Sequence, residues 1–295
     1  MKPAPFDYAA PAHLDEALAI LARTENAKVI AGGQSLMPML NFRLVRPDLL
    51  VDISRIAALR GITGRGRGMS ISAMTSHHAV HTSPLVKAHF PIISEAMGHV
   101  AHLAIRNRGT IGGSISHADP AAEWPMLACL LDAKIHLAGP TGTRTLDAQA
   151  FFRGAMTTAL APDEVLTKVD LPALPRHTRH AFDEVALRTG DYAIVAAGVL
   201  LSVGGSPLTG GKRILDARIA LTGVGEMPVR VRDAEALLKG QKAIDDQLIE
   251  RAACLVRDGI QPSSDLRASA DFRREISFSL AKRLVKSAWE QRSQS

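Results

Sequence analysis

The residues best placed to do chemistry in this sequence are small ones. Lys28-Val29-Ile30 is an apolar run that drops into Ala31-Gly32-Gly33-Gln34-Ser35. Far downstream, Arg108-Gly109-Thr110-Ile111-Gly112-Gly113-Ser114 repeats the device of adjacent glycines beside hydroxyls. Paired glycines leave main-chain N–H groups bare and permit positive φ, as a loop around a phosphate requires. Neither stretch is a P-loop, because no Gly-Lys-Ser/Thr follows, and neither has Gly-x-Gly-x-x-Gly spacing. One Gly-Gly pair is common at any strand-to-loop turn. Two pairs, flanked by Ser35, Thr110 and Ser114, suggest one dinucleotide held from two sides.

Other chemistry-bearing residues form weaker patterns. His77 and His81 stand at i, i+4, a spacing compatible with a metal on a helix, but no third ligand is evident, so helix-surface histidines are the expectation and no metal site is assigned. Ser35 and Ser114 lack the Gly-x-Ser-x-Gly setting of a hydrolase nucleophile. Arg106 and Arg108 flank the second glycine stretch and read as loop-surface arginines. Cys129 and Cys254 each sit in an apolar, helix-like segment and read as buried free thiols. An iron–sulfur cluster usually takes four thiolates, so this chain, with two cysteines, cannot hold one alone. No side chain is assigned a catalytic role.

The elements that must position the glycine stretches follow from hydrophobic periodicity. Leu14, Ala17, Leu18 and Leu21 mark a helix over 13–22, with Asp15 and Glu16 in its first turn. Strands are expected at 28–31, 49–53 and 69–72, with a short helical or irregular piece between Pro38 and Pro47. Residues 76–100 read as helix in two pieces, Ser83-Pro84 supplying an N-cap and a first-turn proline. Asp119-Pro120 opens a helix over 121–131 by the same logic. A hairpin pairs 134–137 with 143–146, and 165–171 alternates as a strand. Residues 172–177 read as a linker. Beyond it come three long antiparallel strands, 180–187, 192–203 and 212–223, then helices near 233–239, 244–258 and 268–290. In the last, Ile276, Leu280, Leu284 and Ala288 repeat every four, and Arg273, Arg274, Lys282, Arg283 and Lys286 suggest a solvated face or a subunit contact.

Composition bounds the alternatives. The 295 residues are 46% hydrophobic and 22% charged, which fits a folded two-domain protein. The net charge of +6 invites nucleic acid, but the basic residues are dispersed and only 4% of the chain is aromatic, so stacking platforms are scarce. A phosphate-bearing cofactor or an acidic partner surface accounts for the excess as well. No apolar stretch is long enough to span a bilayer. Met1-Lys2-Pro3-Ala4-Pro5 has no secretory h-region, so a cytoplasmic location is expected.

Three motifs together carry a resemblance. Ala-Gly-Gly-Gln-Ser-Leu-x-Pro-x-Leu-x-x-Arg at 31–43, Ile-Arg-Asn-x-Gly-Thr-Ile-Gly-Gly-Ser at 105–114 and His-Ala-Asp-Pro-Ala at 117–121 resemble the FAD-binding medium subunit of the molybdenum hydroxylases. That group includes the xanthine dehydrogenase, carbon monoxide dehydrogenase and quinoline oxidoreductase families. The resemblance implies an α+β fold. A PCMH/VAO-type FAD-binding domain over 1–175, in subdomains of about 1–55 and 56–175, precedes a C-terminal domain over 178–290, a three-stranded antiparallel sheet with a helical bundle. It implies that Ala31, Gly32, Gly33, Gln34 and Ser35, with Thr110, Ile111, Gly112, Gly113 and Ser114, hold the FAD pyrophosphate and ribityl. Glu123 stands where the family more often has Asp and would reach the adenosine ribose; a solvated first-turn acid is the alternative. Leu166 would lie beside the adenine, with an ordinary core residue as the alternative, and Tyr192 near the isoalloxazine, with a plain sheet residue as the alternative. Asp183-Glu184 replaces a lysine that some relatives carry near the flavin. His117 lies beside the cofactor stretch.

The implied role is an electron-transfer subunit. A large partner would carry molybdopterin and oxidise the substrate, and a small partner would carry two [2Fe–2S] clusters. Electrons would pass through FAD here to an external acceptor, in a dimer of heterotrimers. Gln34, where the carbon monoxide enzymes tend to have His, favours an N-heteroaromatic substrate. A stand-alone FAD-dependent oxidase and a non-catalytic phospholigand-binding module are the competing readings.

Overall fold

The structure, a computed structural model, describes residues 2–205 and 213–291. Residue 1 of the expected first domain and residue 212 of the expected third long strand fall outside the described residues. The chain opens with β1 (Asp7–Ala9), α1 (Leu14–Arg23), β2 (Ala27–Ile30), α2 (Leu36–Asn41) and β3 (Leu49–Asp52). The three strands form a parallel sheet in the order β1-β3-β2. Helix α1 buries Ala17, Leu18 and Leu21 as its spacing requires, with Asp15 and Glu16 in the favourable first turn. Met74, Ala138 and Val165 from the next layer complete that core.

The second layer runs through β4 (Ile62–Arg65), β5 (Gly68–Ser72), α3 (His77–Thr82), α4 (Pro84–His89), α5 (Pro91–His99), α6 (Leu103–Arg106), α7 (Ile111–His117) and α8 (Glu123–Leu130). It continues with β6 (Lys134–Gly139), β7 (Gly142–Asp147), α9 (Ala148–Phe151), β8 (Phe152–Gly154), β9 (Thr157–Thr158) and β10 (Val165–Leu171). Five strands make an antiparallel sheet, β4-β5-β10-β6-β7. Residues 76–100 form three helices rather than the expected two. Pro84 and Pro91 each lack an N–H and push the preceding residue out of the helical region, so breaks fall at Ser83 and Phe90. Ser83 Oγ caps α4 by accepting from the Val86 N–H at 3.4 Å. Arg106 is not a free surface arginine. Its Nη1 donates to the carbonyls of Gly98, Val100 and Ala101 at 3.2, 3.0 and 2.9 Å, tying down the end of α5.

The last layer holds β11 (Thr178–Ala186), β12 (Ala193–Gly204), β13 (Arg213–Thr222), β14 (Val229–Arg230), α10 (Arg232–Leu238), α11 (Asp246–Asp258) and α12 (Ala270–Glu290). The three long strands pair antiparallel, and the short β14 adds an edge beside Ala220 and Leu221. Every residue of β12 except Gly204 is buried, because α8 covers one face and α11 with α12 the other. That is why its sequence is a continuous apolar run rather than an alternation. Leu280, Leu284 and Ala288 of α12 are buried on the expected stripe. Arg273 leaves the expected solvated face. Its guanidinium is buried and donates to the Gly223 carbonyl at 2.9 Å and to Asp265 at 2.8 Å, satisfying a sheet-end carbonyl that no strand reaches. Cys129 is buried, its thiol pushed up to about 12 by burial, whereas Cys254 is half-buried at the rim of α11, not enclosed as expected.

Two polar clasps join this layer to the second. The Pro120 carbonyl accepts from Thr222 Oγ1 at 2.6 Å and from the Gly223 N–H at 2.8 Å. Arg230, 5% exposed, donates to the Cys129 carbonyl and to Asp132 at 3.0 Å each and also pairs with Glu235, which is itself buried. Removing one member of a buried pair strands the other charge. Arg230→Met is therefore expected to cost about 3–5 kcal/mol in urea unfolding. Arg232→Met, which removes an exposed partner of the same Glu235, should cost no more than about 1 kcal/mol. Equal losses in the two variants would contradict this account.

Candidate functional site

A cavity of about 710 Å³ opens between the parallel sheet and the five-stranded sheet, a size that suits a large organic ligand. Twelve of the thirteen residues expected at a cofactor line it: Ala31, Gly32, Gly33, Gln34, Ser35, Thr110, Gly112, Gly113, Ser114, Glu123, Leu166 and Tyr192. Ile111 does not. Its side chain is fully buried in the main core.

The first glycine stretch links the end of β2 to the start of α2. Gln34 Nε2 folds back to the Gly32 carbonyl at 2.8 Å and fixes the turn. A Cβ on Gly32 would stand 2.1 Å from the Arg108 carbonyl oxygen, so the two glycine stretches meet main chain to main chain. Among the described residues, the N–H groups of Gly32, Gly33, Gln34 and Ser35 donate to no protein acceptor. They form the bare cradle that paired glycines suggest.

The second stretch is built differently from the expected open loop. Thr110 caps α7, its Oγ1 accepting from the Gly113 N–H at 3.1 Å. Ile111 N–H donates to Thr75 at 3.1 Å, Gly112 N–H to Ala73 at 2.8 Å and Ser114 N–H to Thr110 at 3.0 Å. A Cβ at Gly112 would lie 2.5 Å from that of Ala73. The glycines here serve packing against β5 and α3, and the stretch offers the cavity the Thr110 and Ser114 hydroxyls rather than free amides.

Glu123 is the first residue of α8 and is buried, not the solvated first-turn acid. Burial, reinforced by the Glu184 carboxylate, pushes its carboxyl up to about 8. Leu166, in β10, contributes an apolar wall. Tyr192 is 40% exposed and stands beside the cavity. Burial around its phenol and the nearby Asp119 charge hold its pKa above the usual range, while a hydrogen bond with Ser35 opposes them.

His77 also departs from its expected place on a helix surface. It is buried at the cavity, its Nδ1 accepts from Trp124 Nε1 at 2.9 Å, and burial pushes its pKa down to about 4, so it is neutral. Among the described residues no three His, Cys, Asp or Glu side chains are grouped to hold a metal. His117 reaches the cavity wall.

Sequence reasoning missed Lys28, Asp119, Asp191 and the segment from Met156 to Val165, all of which contribute to the wall. Lys28 precedes the first stretch on a strand and was open to discovery by position. The Met156 segment carries no local signal. It is pinned from outside by Arg144, which grips both oxygens of Glu164 at 2.6 and 2.7 Å and the Ala159 carbonyl at 2.6 Å. The free amides, the hydroxyls and the cavity size together fit a diphosphate-bridged dinucleotide such as FAD.

Comparison with known proteins agrees. Residues 4–174 match the FAD binding domain in molybdopterin dehydrogenase, and residues 180–288 match the CO dehydrogenase flavoprotein C-terminal domain. The chain is 36% identical over 290 residues to the carbon monoxide dehydrogenase medium chain of Hydrogenophaga pseudoflava, covering 98% of this chain and 99% of that one. Among solved structures, carbon monoxide dehydrogenase from Hydrogenophaga pseudoflava lacking the Mo-pyranopterin moiety superimposes with a TM-score of 0.93 at 37% identity, covering 98% of this chain and 99% of that one. Quinoline 2-oxidoreductase from Pseudomonas putida 86 gives a TM-score of 0.92 at 39% identity, with the same coverage.

The contact at Gly32 yields a direct test. In Gly32→Ala the two stretches must separate or strain, at about 1–3 kcal/mol, which corresponds to FAD bound about 5- to 150-fold more weakly. Fluorescence titration with FAD measures this, with circular dichroism to show an intact fold. Undiminished affinity would refute the main-chain contact as the basis of the site.

Proposed function

The chain belongs to the family of FAD-binding medium subunits of the molybdenum hydroxylases, and from that premise we propose which of its residues hold the cofactor and which partners it serves. It is an FAD-carrying oxidoreductase subunit of a multi-subunit enzyme. We assign the cofactor-holding part to residues 2–175 and the covering part to 178–290. The amides of Gly32, Gly33, Gln34 and Ser35 receive the diphosphate, facing the hydroxyls of Thr110 and Ser114. Those four unpaired amides at the cavity wall are the observation that carries the assignment.

Glu123 meets ribose hydroxyls, Leu166 packs beside the adenine, and Tyr192 borders the isoalloxazine. Ala31 and Gly113 keep the wall low enough for the cofactor to approach, while Gly112 packs against Ala73 and Ile111 anchors the second stretch from the core. Bound FAD supplies a redox centre that accepts electrons singly and releases them singly or in pairs. The residues of this chain bind it, orient it and set its electrostatic surroundings. No side chain of the wall is needed for bond-making chemistry.

The partners follow from what this chain lacks. Two cysteines cannot ligate an iron–sulfur cluster. We therefore place two [2Fe–2S] clusters in a small partner and molybdopterin in a large one, within a cytoplasmic dimer of heterotrimers. No helix among the described residues is long and apolar enough to cross a membrane. The proposed substrate class, bound in the large partner, is N-heteroaromatic, supported by the 39% identity to the quinoline enzyme.

The test is co-purification with the products of the neighbouring genes, followed by a visible spectrum and flavin analysis. A complex showing flavin and iron–sulfur absorption, with one FAD per copy of this chain, is expected. A yellow, catalytically active single chain would instead establish a stand-alone oxidase. A colourless chain that binds no added FAD would overturn the cofactor assignment.

A further inference from the structure

The cavity wall carries little positive charge. Among the described residues, Lys28 is the one lysine or arginine that lines it, against the carboxyl groups of Asp119, Glu123, Glu164 and Asp191. A ligand with a diphosphate must therefore find its partners mainly among neutral donors. The free amides of the first stretch and the Thr110 and Ser114 hydroxyls are such donors. One more stands at the wall, on the side of the second stretch.

His77 opens α3 and is tied to its surroundings at both ends. Its main-chain N–H donates to the Gly109 carbonyl at 2.9 Å, and Ser76 beside it bridges to Thr110. At the other end, Nδ1 of the ring accepts from Trp124 Nε1 at 2.9 Å. An indole N–H only donates, so Nδ1 carries no proton. The hydrogen of the neutral imidazole must then sit on Nε2. Trp124 is 2% exposed and takes no part in the cavity wall, whereas His77 does. The bond to Trp124 thus anchors the ring from behind.

The far edge of the ring faces the second stretch. A Cβ on Gly109 would stand 2.8 Å from Cδ2 of His77 and 2.9 Å from Nε2. The Gly109 Cα in turn lies 2.9 Å from where a Cβ on Gly32 would be. Gly109 therefore has the imidazole on one side and the first glycine stretch on the other, so Nε2 stands beside the place where the two stretches meet. The His77 ring is only 6% exposed, yet among the described residues its Nε2–H meets no acceptor. A buried N–H without a partner is costly, and a ligand oxygen at the wall removes that cost.

We propose that His77 is a further cofactor-binding residue, whose Nε2–H donates to an oxygen of the diphosphate–ribityl segment of FAD. Trp124 is its positioning residue, which acts by fixing the tautomer and the ring. The inference rests on the FAD reading above and adds to it a donor that carries no charge. Burial and the Arg106 charge hold the imidazole neutral, so the donor is the same on either side of neutral pH.

The test uses the flavin-stripped full chain labelled with nitrogen-15 at histidine. Its His77 resonances are those missing from His77→Asn, which keeps an amide oxygen for Trp124 and lacks a donor at the Nε2 position. In the wild type, His77 is expected to show the Nε2–H tautomer. Saturating FAD should move the Nε2–H signal and slow its exchange with solvent. By fluorescence titration, His77→Asn should bind FAD about tenfold or more weakly, the loss of a hydrogen bond to a charged or strongly polar oxygen. Trp124→Phe should weaken binding in the wild type but by less than about twofold in the His77→Asn background, because it acts through His77. A wild-type Nδ1–H tautomer, an Nε2–H signal untouched by bound FAD, undiminished affinity in His77→Asn, or full additivity of the two substitutions overturns the proposal and leaves the cofactor assignment standing. A wild-type chain that shows no saturable binding of FAD overturns both.

Discussion

Two main-chain segments approach each other more closely than any side chain would allow, and the site depends on that approach. The Gly32 Cα faces the Arg108 carbonyl with no room for a Cβ. This contact brings together a turn from the parallel sheet and a helix start from the five-stranded sheet, two layers whose cores are otherwise largely separate. It also divides the labour between them. The second stretch spends its amides on Thr75, Ala73 and Thr110 and becomes rigid. The first, held by Gln34 and braced against that rigid neighbour, keeps four amides free. Unpaired amides are costly in a closed interior, and their presence at a cavity wall marks where a ligand must supply acceptors.

The C-terminal layer acts on the same site from the other side. Its sheet end grips the Pro120 carbonyl, three residues before Glu123, and Arg230 holds the far end of α8. The helix carrying Glu123 is thus fixed at both termini by a layer that contributes Tyr192 and Asp191 to the wall. β12, buried on both faces, lies between α8 and the helices of the C-terminal layer. A cofactor held this way is oriented by backbone and burial more than by salt bridges, consistent with the scarcity of cations in the wall.

The parts legible from sequence were those set by local rules. Glycine pairs announced the two stretches, and hydrophobic spacing located α1, β12 and the apolar stripe of α12. Their functional meaning came from the motif resemblance, since glycines alone specify a close approach and not what is approached. The illegible parts depend on distant neighbours. Nothing near Arg273 in sequence signals the open Gly223 carbonyl that draws it inward. His77 is buried because Trp124 reaches it from α8. The amides of Ile111 and Gly112 were expected to be free because their acceptors, at residues 75 and 73, lie more than thirty positions away. The burial of Glu123, against the alternative of a solvated first-turn acid, was not legible because helix periodicity cannot show what covers a helix start.

We propose that two structurally distinct segments close on one FAD, the first through its amides and the second through its hydroxyls. Hydrogen–deuterium exchange of the chain with and without FAD tests it most directly. Strong new protection is expected at residues 32–35, whose amides donate to no protein acceptor among the described residues. Little change is expected at 111–114, whose amides are already bonded. Unchanged exchange at 32–35 on binding FAD, or protection confined to 111–114, would contradict it.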